Sequence, residues 1–460
     1  MRPNAAHAVG ERLSGLIARR ECVLADFLEA EQRSIAVACH EMARRFARGG
    51  TLIVFGAEAA ATDAAHVAVE FMHPVIVGKR ALPALAPTND PTGCTSALRL
   101  GRAGDIALGI AHDSGGAGLS AFLEDARERE LLTIALTGAG GNPRADHAFV
   151  VGSDDPFVVQ EVQETAYHVL WELVHVFFEH PGLLDEACIT CGDIAVQARV
   201  VALVNGTATI EKDGAREQVA VDLVEDVELG DLVLCHAGVA LSREKASTTS
   251  EAAEPRRASP SAFLYPFLDS EERDLEAVLA EVSSSTLEKG REATSLRKGV
   301  DIEAIGACGH AVRARLERGG RVLAFGNGGS ATDAQDAAAD LLARGWPAIA
   351  LPNDVATVTA VGNDVGFDNV FARQLIPLAR AGDVALAIST SGSSPNVVAA
   401  LEEARRRLML TCAITGYDGG RLRELDWLDH LFVVESDYVP RLQEAHATLY
   451  HLLLDVIGDR

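Results

Sequence analysis

Apolar positions along this chain fall into two textures. Residues about 11–48 and about 269–318 repeat apolar side chains at helical spacing, and each stretch leads into short apolar runs, such as RVLAF, DVALAI and TCAIT, that alternate with amphipathic segments. That order predicts a parallel α/β sheet. From about 188 to 241 the texture changes to ARVVALV, Asn205-Gly206, TATIEK, Asp213-Gly214, EQVAVDLV and DLVLCH. Short strands joined by hairpin dipeptides predict a small all-β module. Residues 242–262 (SREKASTTSEAAEPRRASPSA) lose all apolar periodicity and cannot bury enough surface to offset their ordering entropy, so they are assigned as a linker.

The two α/β stretches are copies of one another. Ala-Thr-Asp-Ala occurs at 61–64 and 331–334, Asn89-Asp90 recurs as Asn353-Asp354, Ala103-Gly104-Asp105 as Ala381-Gly382-Asp383, and Gln163-Glu164 as Gln443-Glu444. The offset jumps from 264 to 278 along this series, so the first copy lacks about 14 residues that the second carries near GNDVGFDNVFARQ, 362–374. The expected organisation is an α/β unit over 1–185, a β-barrel over 186–243, a linker over 244–262 and a second α/β unit over 263–460.

Charge and composition narrow the function classes. Acidic residues outnumber basic ones, 66 to 41, and the net charge of -25 repels phosphate backbones and anionic lipid, so neither a nucleic acid nor a membrane surface is the expected partner. No apolar stretch approaches 18 residues, and MRPNAAHAVGERLSGLIARRE lacks the apolar core of a signal peptide. Eight irregularly spaced cysteines do not form a secreted disulfide framework, and a reducing cytoplasm is the expected location.

Candidate chemistry gathers first in the second copy. RVLAF runs into Gly326-Asn327-Gly328-Gly329-Ser330, and DVALAI is followed by Ser389-Thr390-Ser391-Gly392-Ser393-Ser394-Pro395. Glycines allow close backbone approach, while hydroxyls at a helix N-terminus present donors and a positive dipole end to an anion. One such loop alone is equally a helix cap. Two after successive strands, at the carboxyl ends of a parallel sheet, point to ligand binding.

GNGGSATDAQDAAADL, NDVATVTAVGNDVGFDNVFARQ, GDVALAISTSGSSPNVVAAL, ITGYDGG and RLQEAHATLYH together resemble the SIS (sugar isomerase) fold, specifically the phosphoheptose isomerase family, over about 300–460; the first copy resembles the same fold over about 30–180. The resemblance implies flavodoxin-like α/β/α units, oligomerisation through helices, and conversion of sedoheptulose 7-phosphate to an aldoheptose 7-phosphate. It implies phosphosugar contacts at Asn327, Ser330, Ser389, Thr390, Ser391, Ser394 and Gln443. The implied metal positions, with zinc as the expected ion, are Asp336, Asp340, Gln443 and His451, and Asp340 and His451 are the implied acid/base pair. The family has His where Asp336 stands and Glu where Asp340 stands, and a carboxylate one methylene short misplaces a reacting group by about 1 Å.

The first copy is altered elsewhere. It reads Gly56-Ala57-Glu58-Ala59-Ala60 and Ala111-His112-Asp113-Ser114-Gly115-Gly116 where the second has its glycine and serine loops, yet it keeps His66, Glu70 and Gln163, with Trp171 at the His451 position. It is expected to be a structural pseudo-domain. The alternative is that His66 and Glu70 complete a composite metal site between the copies.

The insert opens Cys188-Ile-Thr-Cys191 and closes with GDLVLCHAGVAL. A single Cys-x-x-Cys leaves half a zinc site, a redox pair and buried structural thiols all open. The segment as a whole resembles the HypC/HupF family of [NiFe] hydrogenase assembly chaperones. That resemblance implies a scaffold carrying iron with cyanide and carbonyl ligands on Cys188 and His236, delivered to a hydrogenase large subunit or exchanged with maturation proteins, with Cys191 an added thiol. The combined expectation is a hydrogenase maturation protein fused to phosphosugar-binding units. A phosphoheptose isomerase and a phosphosugar-sensing interaction protein are the alternatives. Two chains are expected to pair into a pseudo-tetramer of α/β units.

Overall fold

The computed structural model describes residues 3–74, 76, 79–87, 98–184, 196–204, 207–212, 215–221, 224, 227–236, 239–244 and 275–460. The first half runs α1 (Pro3–Ala47), β1 (Leu52–Gly56), α2 (Ala61–Met72), β2 (Ala84–Leu85), β3 (Ile106–Ile110), α3 (Gly116–Glu128), β4 (Leu132–Thr137), β5 (His147–Val150) and α4 (Pro156–Phe178). Next come five strands: β6 (Val196–Val204), β7 (Thr207–Lys212), β8 (Ala215–Ala220), β9 (Leu232–His236) and β10 (Val239–Glu244). The second half runs α5 (Leu275–Lys298), α6 (Ile302–Glu317), β11 (Val322–Phe325), α7 (Gly329–Ala343), β12 (Ala348–Ala350), α8 (Val355–Asp364) and α9 (Val370–Leu378). It continues with β13 (Val384–Ser389), α10 (Pro395–Arg406), β14 (Leu410–Thr415), α11 (Gly420–Arg423), β15 (His430–Val433) and α12 (Val439–Ile457).

Both halves form all-parallel five-stranded sheets of the same order, β2-β1-β3-β4-β5 and β12-β11-β13-β14-β15. Every residue of β3 (IALGI) and of β13 (VALAIS) is buried, as a strand covered by helices on both faces requires. The registers are copies too: Leu52 lies opposite Ile106 as Val322 lies opposite Val384. The segment that only the second copy carries, 362–374, spans the end of α8 and the start of α9. The second long helical stretch divides before Asp301, whose carboxylate accepts from Ala304 N and caps α6.

The middle strands close into a barrel in the order β10-β8-β7-β6-β9, antiparallel apart from the parallel contact of Val239 with Ala220. Inward side chains alternate along each strand, Ala198 and Val200 on β6, Ala208 and Ile210 on β7, Val233 and Cys235 on β9, which fills a small barrel with apolar atoms. The hairpin dipeptides at 205–206 and 213–214 lie outside the described residues, as do Cys188 and Cys191.

Divisions along the chain do not separate the two α/β cores. Leu13 and Ile17, in the N-terminal third of the long α1, pack into the core of the second half, whereas Leu24 to Phe46 of the same helix pack into the first. Conversely, Val278, Leu279, Val282 and Ala293 of α5 belong to the core of the first half. A Cβ on Gly290 would stand 2.3 Å from Leu28 Cδ1, so a larger residue where α5 crosses α1 would have to displace the Leu28 side chain. Each half is completed by a helix contributed from the other.

Buried ion pairs and hydrogen bonds join α4 and α12 of the two halves. Arg20 Nε donates to Glu161 Oε1 at 2.8 Å, Thr448 Oγ1 to Glu161 Oε2 at 2.5 Å, and Arg441 Nη2 to Glu172 Oε1 at 2.6 Å, with Lys289 also paired to Glu172. Arg20, Glu161, Glu172 and Arg441 are all at most 1% exposed. Such charges persist in an apolar interior only when paired and hydrogen-bonded.

Candidate functional site between the two halves

The glycine loop after β11 is pressed onto its surroundings. A Cβ on Gly326 would sit 2.3 Å from Ser330 O and 2.7 Å from Ile388 O, and Gly328 has φ +57°, so both positions need glycine. Asn327 and Asn396 exchange amide hydrogen bonds, each 2.9 Å, which ties this loop to the first turn of α10. The Asn327 side chain, expected among the ligand contacts, is thus engaged within the protein.

The serine loop after β13 keeps its hydroxyls near one another. Ser389 Oγ lies 3.3 Å from Ser394 Oγ, and Ser391 Oγ accepts from Ser393 N at 3.2 Å. Ser394 occupies the N-cap of α10 without a side-chain capping bond, and Pro395 opens the helix. The amide donors of that first turn and the Ser389 and Ser394 hydroxyls suit a phosphate. Gly392, at φ +61°, packs under Gly419 O, where a Cβ would approach within 2.2 Å.

The equivalent loops of the first half are built from acids and imidazole. Asp113 Oδ1 accepts from Gly115 N at 2.8 Å, His112 Nε2 pairs with Asp63 Oδ2 at 2.8 Å, and Glu58 has φ +49° where the second half has a glycine. Carboxylates at these places repel a phosphate.

Gly329 is the point at which the halves converge. A Cβ there would stand 1.9 Å from Gln443 Nε2 and 2.7 Å from His66 Nε2. The loop of the second half therefore lies directly against His66 of the first. Gln443 Nε2 is 3.0 Å from His66 Nε2 and donates to Glu70 Oε1 at 3.3 Å, and all three side chains are 2–3% exposed. Tyr167 OH holds His66 Nδ1 at 3.2 Å.

The four positions Asp336, Asp340, Gln443 and His451, expected to form one set, divide into two. Gln443 turns to His66 and Glu70 of the other half. Asp336 instead pairs with Thr62 Oγ1 and accepts from Gln160 Nε2 at 2.9 Å, while Asp340 Oδ2 is 3.9 Å from His451 Nε2. His451 Nδ1 bonds Glu161 Oε1 at 2.8 Å and its ring stacks on Phe157 at 4.3 Å. Spacing along a helix carries no information about which copy supplies the facing helix. Gln163 donates to Ala111 O at 2.9 Å.

The electrostatics are dominated by a surplus of buried acid. Burial, reinforced by the charges of Asp63 and Asp340, pushes the Asp336 carboxyl well up, and burial together with Asp63 and Glu70 lifts Asp333 to about 7 against the pull of His66. Burial, with the charges of Asp333, Glu444 and Asp63, does the same to Glu164. Burial also raises Asp340, against His451, His112 and Arg344. Glu70 is different. Burial opposes its ionisation, but His66, 3.7 Å away, the charge of His168 and the hydrogen bond from Gln443 outweigh it and hold the carboxyl low; in return Glu70, Asp333 and Asp63 raise His66 against its own burial.

Around this cluster Glu70 Oε2, Glu164 Oε1, His168 Nε2, Asp333 Oδ2 and Gln443 Oε1 are buried without a hydrogen-bond partner among the described residues. Nitrogen and carboxylate ligands in acidic surroundings suit a divalent cation such as zinc, so the residues present fit the expected metal. Sequence reasoning missed Asp63, Gln160, Glu161, Glu164, His168 and Asp333. A signal existed for three of them: Asp63 and Asp333 are the acids of the repeated Ala-Thr-Asp-Ala, and Glu164 belongs to the repeated Gln-Glu. In the barrel, the backbone of His236 ends β9, paired with Val239.

Among the described residues no helix is long and apolar enough to cross a membrane. The SIS domain family model matches residues 291–416, and the HupF/HypC family model matches residues 194–254. The chain is 48% identical over 148 residues to the phosphoheptose isomerase of Pelobacter propionicus, covering 31% of this chain and 77% of that protein. It is 44% identical over 150 residues to that of Thermodesulfovibrio yellowstonii, covering 31% of this chain and 74% of that protein. Across 96% of both chains the fold matches the C-terminal domain of glucosamine-fructose-6-phosphate aminotransferase from Francisella tularensis, at 8% identity and a TM-score of 0.52. With repeated sheets of one order, glycine and serine loops, and relatives of this similarity, the chain belongs to the phosphoheptose isomerase family, as a fused pair of α/β units that also carries a HupF/HypC-type barrel.

Proposed function

We propose that this protein is a sugar-phosphate aldose–ketose isomerase with one working site per chain, built from the phosphate loops of the second half and the His66–Glu70 pair of the first. The observation that carries this reading is the contact of Gly329 with both Gln443 and His66. The phosphate would be held by Ser330, Ser389, Thr390, Ser391 and Ser394 with the N-terminus of α10, which needs no basic side chain. Aldose–ketose exchange moves one proton between adjacent carbons and one between their oxygens, with no net redox change. Glu70, held ionised and with Oε2 unpartnered, takes the carbon-bound proton and returns it to the neighbouring carbon. Gln443 Nε2 keeps that carboxylate in place. A divalent ion on His66 and Gln443 would polarise the sugar carbonyl. Asp336 and Asp340 are the repeat counterparts of that pair, and Asp340 lies beside His451 and near His112 of the altered first-half loop. Sedoheptulose 7-phosphate is the substrate to test, in a coupled assay on the full-length chain. Turnover that Glu70→Gln abolishes supports the reading; no turnover by the intact protein overturns it.

A second role is favoured by the HupF/HypC match and the closed barrel: binding of an iron centre as cargo through Cys188 and His236 for a hydrogenase large subunit. Thiolate and imidazole suit such an iron. Capture of a hydrogenase large subunit or maturation protein, lost in Cys188→Ser, is the expected result. An interaction indifferent to that change removes the carrier role.

A further inference from the structure

In the first half, the position equivalent to His451 is Trp171, so the imidazole that the second half carries there is missing. One turn earlier on the same helix stands His168, fully buried, at 5.2 Å between ring centroids from His66. Its Nδ1 is held by Glu444 Oε1 of the other half at 3.1 Å, which leaves Nε2 without a partner. A carboxylate on one ring nitrogen orients the other for a metal. His66 Nδ1 is held by Tyr167 OH, while its Nε2 faces Gln443 Nε2 at 3.0 Å, so the Gln443 amide turns over when both residues ligate. Glu164, one turn before His168, has Oε1 unpartnered and is 3% exposed. The ligand atoms of His66, Glu164 and His168 all lie within 4.8 Å of one another. Ligands placed tetrahedrally about 2.0–2.2 Å from a zinc ion are about 3.4 Å apart, so side-chain movements of about 1 Å close the set.

We infer that His168 and Glu164 join His66 in holding a divalent transition metal, with Gln443 Oε1 from the other half as fourth ligand, so that a histidine one turn earlier replaces the one lost at Trp171. This inference rests on the composite-site reading above and leaves Glu70 free as the base. Glu444, the repeat counterpart of Glu164, does not join the set, because Arg441 and His168 occupy its oxygens. Glu70 Oε1 lies 3.7 Å from His66 Nε2, so a buried carboxylate stands beside the set to balance a dication.

The test uses full-length protein carrying Cys188→Ser and Cys191→Ser, so that neither thiol of the barrel segment contributes, loaded with Co2+ as a spectroscopic stand-in for zinc. About one Co2+ per chain is expected, with His168→Ala or Glu164→Gln weakening binding about 100-fold or more while the thermal melt persists. His168→Cys should retain the ion and add a thiolate-to-cobalt charge-transfer band, a signal that only a ligating residue 168 produces, even if His168→Ala fails to fold. Absence of Co2+ from the parent, or a parent-like spectrum in His168→Cys, overturns the inference. Metal held through residue 168 without isomerase turnover would overturn the enzyme reading alone, and turnover with metal binding indifferent to His168 would overturn this inference alone.

Discussion

The two α/β halves share sheet order, register and helix placement, yet they have diverged at opposite ends of the same chemistry. The second keeps Gly329, Ser389 and Ser394 but has Asp336 and Asp340 at the metal and base positions; the first keeps His66 and Glu70 but has Ala59, Ala111 and Asp113 in its loops. Taken half by half, both are incomplete. Because the halves interlock, the retained loops meet the retained pair, and the altered loop residue His112 neighbours the altered pair. The retained residues of both halves thus gather at one of two pseudo-equivalent places and the altered ones at the other.

The comparison breaks most sharply at the carboxylates. Glu70→Gln should lower kcat on sedoheptulose 7-phosphate by about 100- to 10,000-fold, the usual worth of a general base. Asp340→Asn, on the altered side, should cost less than about threefold; equal losses in the two variants would mean that both sites work.

Next in size is the seam itself. Burial opposes the ionisation of Glu172, but Lys289 and Arg441 pull its carboxyl down to about 2. A folded pKa below the unfolded value of about 4.3 stabilises fully above that value, and the contribution is lost as the pH falls towards the folded one. Glu172→Gln should therefore destabilise the fold by about 3–5 kcal/mol at pH 7, because it strands buried cations, and the deficit should narrow between pH 4.5 and 2 in urea titrations. A deficit constant with pH would show that Glu172 does not act through its charge.

The phosphate loop gives a smaller effect. Ser389→Ala copies Ala111 of the first half and should weaken sugar-phosphate binding by about 10- to 100-fold, the value of a hydrogen bond to a charged group. Ala111→Ser should create no second site in calorimetry, since Asp113 and Glu58 remain. The smallest effect sharpens the contact of the halves: Gly329→Ala should disturb Gln443 and His66, visible as a raised KM, whereas Ala59→Gly at the exposed counterpart position should change stability by only about 0.5–1 kcal/mol.

Much of this organisation was legible. Continuous apolar runs such as DVALAI fix a doubly covered parallel strand, hairpin dipeptides mark the barrel, and repeated tetrapeptides expose the duplication, since each rests on local geometry. His168 was not legible, because a histidine among the apolar residues of α4 has the pattern of an ordinary core position. The assignment of Gln443 beside Asp336 failed for a different reason: the two belong to one copy, but α2 of the other copy lies between the spacing rule and its partner.

By itself the sequence determined the sheet type, the repeat, the barrel, and the glycine and hydroxyl loops, because these follow from backbone sterics and from patterns within a few turns of chain. Only the tertiary structure decided that α1 and α5 exchange cores and that Gln443 meets His66, a residue 377 positions away. Helical periodicity says which face of a helix is buried but not against which copy. That choice is made where apolar surface and buried ion pairs of both halves are satisfied together, and it is what brings the glycine loop and Gln443 of one half against His66 and Glu70 of the other.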